Sequence, residues 1–264
     1  MAAMIRGSSR MPDWEIRMMT RLAGAELRMV VVAALLTLVA IPPAMALNPS
    51  ALGDSGCGTL DNHFGPFDYR IDKTQAQAVE SAHFTPDIES LRHGKTGSLG
   101  AELDYTLRAL PNHHRALMAM VRLGLRDNTE RPHGARYKVE CWLIRGEVFR
   151  DDDPMVKMVY GVYLLRKGRN QDAVAKLEAA DALGEDNVNL HYNLGLAYVK
   201  LGRYDDALRK AHQAYAGGFP LPGLRQQLER AGHWRAPTAD EQAAITDPPP
   251  AHDTGGAEEP IIAE

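Results

Sequence analysis

Gly94, Gly134, Gly168 and Gly202 each head the same downstream pattern, and no other feature constrains the fold as tightly. An apolar residue follows five positions on (Leu99, Val139, Ala173, Ala207) and another nine on (Leu103, Leu143, Leu177, Ala211). A small residue follows twelve on (Thr106, Gly146, Ala180, Ala214), and the glycines stand 40, 34 and 34 residues apart. Intervals of four and three share one face of a helix, and a period near 34 belongs to stacked helical hairpins. A single hairpin cannot bury its apolar face, so neighbours bury it jointly. The period predicts an all-α chain with repeats at 80–113, 114–153, 154–187 and 188–221. Each is read as a helix ending in a left-handed residue at the glycine turn, then a second helix. The excess of the second repeat falls in the polar stretch 126–133, a longer inter-helix loop. The amphipathic stretch from Leu224 to Trp234, after Pro222, is predicted to cap the open end of the stack.

The ends of the chain differ from its middle. Residues 1–46 carry five arginines and three acids, and the apolar run MVVVAALLTLVAI at 29–41 precedes Ala44-Met45-Ala46. That order is a secretory signal peptide, and thirteen apolar residues are short for a membrane span. The alternative is an N-terminal anchor in the inner membrane, which leaves the rest facing the periplasm all the same. Residues 47–79 read as irregular, with Phe64 to Tyr69 packing on the first helices, 80–234 as the repeat domain, and 235–264 as a disordered acidic tail. Residues 47–235 hold 25 basic and 24 acidic residues, which argues against a protein that tracks nucleic-acid phosphates. Cys57 and Cys141, the only cysteines, suggest one disulfide in an oxidising compartment. Reduced, buried thiols are the other reading of the pair.

The segments YNLGLAYVKLGRYDDA at 192–207 and YGVYLLRKGRNQDA at 160–173 resemble the tetratricopeptide repeat (TPR). The resemblance is strong over 154–221 and degenerate over 80–153. Gly161 and Gly195 match the first-helix glycine of the family, and Leu164 and Tyr198 its large residue three positions on. The usual tryptophan position holds Lys157 and His191, and the closing proline position holds Glu185 and Phe219. The arrangement also resembles exported bacterial TPR proteins. It implies a right-handed solenoid whose first helices line a concave groove that holds a partner peptide or helix. Met158, Val162 and Arg166 of the third repeat, with Asn189, Tyr192, Asn193, Leu196 and Lys200 of the fourth, are the groove residues so implied. Asn193 matches one asparagine of the family's carboxylate clamp, whereas Met158 and Val159 replace the earlier polar residues.

No catalytic constellation emerges. There is no H-E-x-x-H, C-x-x-C or G-x-S-x-G, and Gly94-Lys95-Thr96-Gly97 lacks the first glycine and the strand of a phosphate loop. The run Asp151 to Asp153 before Pro154 reads as a helix cap. Six of the ten histidines lie between His63 and His133, and Glu80-x-x-His83 sets a carboxylate and an imidazole on one helix face. His83, His113 and His114 are therefore the alternative, a metal site, against capping and packing by the same side chains. The expectation is a non-catalytic, cofactor-free scaffold or adaptor for a protein or peptide partner. It has no nucleic-acid ligand and meets a membrane only through an uncleaved N-terminal segment, and its oligomeric state is not fixed by the sequence.

Overall fold

The computed structural model describes residues 52–53, 55–184 and 186–246. The expected leader at 1–46 and the tail beyond Thr246 lie outside them. The described residues contain eleven helices and no strand. In order these are α1 (Lys73–His83), α2 (Pro86–Glu89), α3 (Leu99–Ala109), α4 (His114–Arg126), α5 (Val139–Phe149) and α6 (Pro154–Arg166). They continue with α7 (Asn170–Asp181), α8 (Val188–Lys200), α9 (Tyr204–Ala216), α10 (Gly223–Arg230) and α11 (Ala239–Thr246). Two sequence expectations are corrected by this. Helix begins at Lys73, inside the stretch read as irregular, and Ala239–Thr246 is helical inside the stretch read as disordered.

The three hairpins α4–α5, α6–α7 and α8–α9 start where the period places them, and caps show why. Asp153 accepts hydrogen bonds from the Met155 (3.0 Å) and Val156 N–H groups, with Pro154 at the first helical position, where a proline costs no hydrogen bond. Asn187 does the same for α8 through the Asn189 N–H, at 2.8 Å. The first repeat departs from the pattern, because Pro86 breaks its first helix into α1 and the single turn of α2.

The glycine turns need a third correction. Each first helix does end in a left-handed residue, but these are Leu91, Asn128, Gly168 and Gly202. The N–H one residue further on closes each end by bonding back five residues, from Arg92 to Asp87, Thr129 to Gly124, Arg169 to Leu164 and Arg203 to Tyr198. Gly94 and Gly134 instead lie within longer loops, close before α3 and α5. Gly94 has no positive φ, and an added Cβ there would collide with the Gly97 carbonyl. Counting from the second helices hid this, because the extra residues of the first two repeats sit between cap and glycine.

The apolar stripes do what their spacing implies. Leu103, Leu143, Leu177 and Ala211 are all fully buried in one continuous cluster running from Phe84 to Leu228. α6 packs on α7 and α8 on α9, α7 joins α8, and α10 closes the stack against α8 and α9, with Leu224 against Gly195.

Charged seams fix the register between hairpins. Glu147, buried at the end of α5, holds Lys176 of α7 at 2.6 Å and Lys157 of α6 at 3.4 Å. Asp181, 34 residues on, holds Lys210 of α9 at 2.6 Å and lies 3.6 Å from His191 of α8. Lys157 and His191 occupy the position where the family has tryptophan, so a basic group for the preceding hairpin's acid replaces an aromatic plug. A second seam repeats as well. Tyr160 and Arg169 share Glu140, and Tyr198 and Arg203 share Glu178.

A strap formed by residues 55–72 covers the first two repeats. Cys57 and Cys141 are disulfide-bonded across 84 residues. Beside them Arg145 is buried between the rings of Tyr137 and Trp142, 5.1 and 5.3 Å away, and donates to the Cys57 and Thr59 carbonyls. Burial pulls its guanidinium below the usual range. At the other end of the strap, Asn112 donates to Asp68 (2.7 Å) and to Asp153 (2.9 Å) and accepts from the Tyr69 N–H. Burial acts to raise the Asp68 carboxyl, but hydrogen bonds from Arg70 and Asn112 hold it down to about 2. Phe67 and Tyr69 pack on Ala76, Val79, Ala109 and Leu110, as expected of the aromatic anchor.

Opening the disulfide with Cys57→Ser and Cys141→Ser should cost about 4.5 kcal/mol, the chain-entropy value for a loop of this length. Urea unfolding of the variant beside the oxidised protein measures it. Glu147→Ala, which strands two lysines at a buried joint, should cost about 3 kcal/mol. Asp181→Ala, whose carboxylate is one-third exposed, should cost less than about 1 kcal/mol in the same assay.

Candidate partner-binding face

The first helices α4, α6 and α8 are each thirteen residues long and end in a cation, Arg126, Arg166 and Lys200. This basic row marks one edge of the face they share. Arg126 is tied to Asp127 at 2.8 Å, whereas Arg166 and Lys200 are exposed and make no ion pair among the described residues. Behind the edge the face is apolar, with Met158 and Val162 on α6 and Leu196 on α8.

Six of the eight implied groove residues are not the open surface expected of them. Met158, Val162, Tyr192 and Asn193 are at most 1% exposed, and Asn189 and Leu196 are buried too. Every residue of α8 from Asn189 to Tyr198 is buried, so this helix is enclosed around its circumference. Tyr192 stacks on Phe219 at 4.0 Å, which gives the residue at the closing proline position a packing role. Asn193 donates to the Asn189 carbonyl at 2.7 Å, an i to i−4 bond that spends one of its amide hydrogens within the helix. The exposed members are Arg166 and Lys200.

The histidines are held apart in separate packing roles. His83 Nδ1 lies 2.7 Å from Glu102, whose other oxygen accepts from the backbone N–H groups of Lys95 and Gly97 and from Thr96. Burial acts to raise Glu102, but the Thr96 N–H, His83 and the remaining donors hold it down to about 2. His113 caps α4 by accepting from the Ala116 N–H, which leaves its Nε2–H to donate to Glu80 at 3.1 Å. Among the described residues, no three His, Cys, Asp or Glu side chains come together as a metal site. In the structure His113 caps α4 and His83 stacks on Tyr105.

The TPR repeat family model matches residues 164–202. The last two hairpins are TPR-like. The match runs from the end of α6 through α7 and α8, the part of the chain with the regular period. No curated protein and no solved structure matches the chain. The seams went unread in the sequence, although Glu147 and Asp181, Lys176 and Lys210, and Arg166 and Lys200 are all pairs 34 residues apart.

Burial pushes His113 down from 6.5 to about 4, against the opposing pull of Glu80. Its contribution to stability is therefore complete above pH 6.5 and is lost as pH falls from 6.5 towards 4. Asp68 and Glu102, held near 2, withdraw theirs only below their unfolded values of 3.8 and 4.5. Urea midpoints measured from pH 7 to 4 should fall with a slope that His113→Asn, which keeps a capping side chain but does not titrate, flattens.

Proposed function

We propose that this chain is a non-catalytic interaction scaffold, and that the face of α6 and α8 receives an acidic, partly apolar segment of a partner protein. The observation that carries the reading is the pair of exposed cations Arg166 and Lys200 at the ends of α6 and α8, helices whose Met158, Val162 and Leu196 are buried, within hairpins that are TPR-like. TPR repeats generally bind protein partners. The two exposed cations favour carboxylates on a partner, which is the acidic feature of the ligand.

The reading extends to the compartment. An 84-residue disulfide loop and a buried cation roofed by the strap beside it suit an oxidising location, in line with the leader read at 1–46. We place the protein in the periplasm, free or anchored by its N-terminal segment. No helix among the described residues is long and apolar enough to cross a membrane.

Arg166→Glu with Lys200→Glu leaves the core untouched and should abolish partner recovery. In crosslinked pull-downs from envelope fractions, at least about tenfold less of any specific partner is expected with this variant, with an unchanged melting temperature. Equal recovery by both proteins would refute the role given to this face.

A further inference from the structure

We infer that Arg145, Trp142 and Tyr137 form a carboxylate-binding site that residues 55–61 of the strap cover, and that the Cys57–Cys141 disulfide latches this cover shut. The site is separate from the edge of α6 and α8 and does not involve Arg166 or Lys200. Arg145 is 1% exposed. The buried acids Asp68, Glu102, Asp104, Glu147 and Asp153 each have a basic side chain beside them. Arg145 makes no ion pair among the described residues. Its hydrogen bonds, both through Nη1, go to the Cys57 carbonyl at 3.0 Å and to the Thr59 carbonyl. Arg145 Nε and Trp142 Nε1 are buried without an acceptor. Buried donors in that state are costly, and they call for an acceptor.

These groups select the ligand by their chemistry. A carboxylate offers two oxygens to the fork of guanidinium N–H groups. It also supplies the negative charge that Arg145 lacks, whereas the Cys57 and Thr59 carbonyls are neutral acceptors. The rings of Tyr137 and Trp142 stand 5.1 and 5.3 Å from the guanidinium carbon. They steady the cation through their faces and give the carbon skeleton of a ligand an apolar wall. The strap thus imitates the ligand with its backbone.

The cover is fastened lightly apart from its latch. Among the described residues, no backbone hydrogen bond joins residues 55–62 to a repeat helix. The polar ties there, besides the disulfide, are Arg145 itself and Arg108, which donates to Asn62 at 2.8 Å. The other end of the strap is held independently, by the Phe67 N–H on the Ala109 carbonyl and by Asn112 on Asp68. Opening the disulfide therefore frees the cover and leaves the rest of the strap in place. The opening step is thiol–disulfide exchange with a dithiol protein. One thiolate of that reductant attacks Sγ of the half-buried Cys141, since Cys57 is only 1% exposed. The S–S bond breaks and its electron pair leaves on Cys57 Sγ, in the residue whose carbonyl Arg145 holds, and a nearby cation favours a thiolate. The reductant's second thiolate then attacks its own sulfur in the mixed disulfide and releases Cys141. Both cysteines end as thiols, with the two protons that the reductant gives up, and the reductant ends as a disulfide.

The test follows the indole N–H resonance of Trp142 in the full chain labelled with nitrogen-15, with benzoate as the probe and Trp142→Phe to identify the signal. Benzoate should leave the signal of the oxidised protein in place. After dithiothreitol it should shift the signal saturably, with half-saturation on the order of 1 mM, and neutral benzamide should not. Arg145→Gln should weaken the reduced protein's binding at least about tenfold, the loss of a charge-assisted pair. Gly58→Val separates the cover from the latch. Gly58 has a φ of 72°, and an added Cβ would collide with the Tyr137 hydroxyl, so this variant should bind benzoate with its disulfide intact. A folded, reduced protein that binds no benzoate overturns the inference. So does an oxidised protein that binds it equally well, or binding that survives Arg145→Gln. Where reduction unfolds the chain, Gly58→Val decides, and an unmoved signal there overturns the inference. Glutathione, a monothiol, should stop at the mixed disulfide, and peptide mapping should find it on Cys141. Glutathione on Cys57 overturns the direction of opening.

Discussion

The carboxylate of Glu147 is the joint on which the stack depends. It lies at the end of the last helix of the divergent half, and its oxygens hold lysines of both helices of the next hairpin. Apolar packing supplies most of the driving force for stacking but is non-directional. Leu177 or Ala211 would tolerate sliding by a turn far better than a buried acid would tolerate losing its lysine. Asp181 repeats the joint one period later with Lys210 and His191. The loss of tryptophan at Lys157 and His191 is thus a change in how the seam is made. An aromatic plug fixes a seam by shape; here Lys157 brings a charge to Glu147, and His191 brings a buried imidazole, whose charged form burial disfavours, to Asp181.

The first half of the chain has no such regular seam and is held differently. Its inter-helix loops are long, its first helix is broken at Pro86, and its hairpins are covered by the strap. The disulfide, the Arg145 contacts to the Cys57 and Thr59 carbonyls, and the Asp68–Asn112–Asp153 cluster tie that strap down at both ends. These are long-range contacts, made by residues from 41 to 88 positions apart. They confer local rigidity without requiring a period. A buried arginine with carbonyls and aromatic rings for partners is stable only while its roof stays on. The two halves therefore solve one problem, covering unpaired helix faces, by repetition in one case and by covalent closure in the other.

This division also explains what the sequence disclosed. The stripes were legible because Leu103, Leu143, Leu177 and Ala211 face one core, and burial demands a period. The hairpin starts at His114, Pro154 and Val188 were legible from the same spacing, and Asp153 from capping chemistry. The left-handed residues Leu91 and Asn128 were not, because an end defined by backbone geometry accepts leucine or asparagine at a modest cost, and glycine drew attention five residues before the next helix. The exposure of the concave face was misjudged for another reason. Helical position assigns Tyr192 or Asn193 to a face, but whether that face meets water depends on parts of the chain remote in sequence.

The basic row calls for a final distinction. A cation in the last turn of a helix is favoured by the helix dipole alone, which would suffice to place Arg126, Arg166 and Lys200. Their partners separate the cases. Arg169 and Arg203, a few residues on, are each held by two carboxylates, Glu140 with Asp172 and Glu178 with Asp206. Arg166 and Lys200, at the same helix ends, hold none among the described residues. The stack uses its acids at the seams and leaves the front edge positive, so a near-zero balance of charge across the middle of the chain conceals a local field. Exposed charges interact within about a Debye length, 8–10 Å at physiological salt, so the paired seams on the outer layer do little to cancel that field at the front. A field of this kind acts on a charged group before any contact forms.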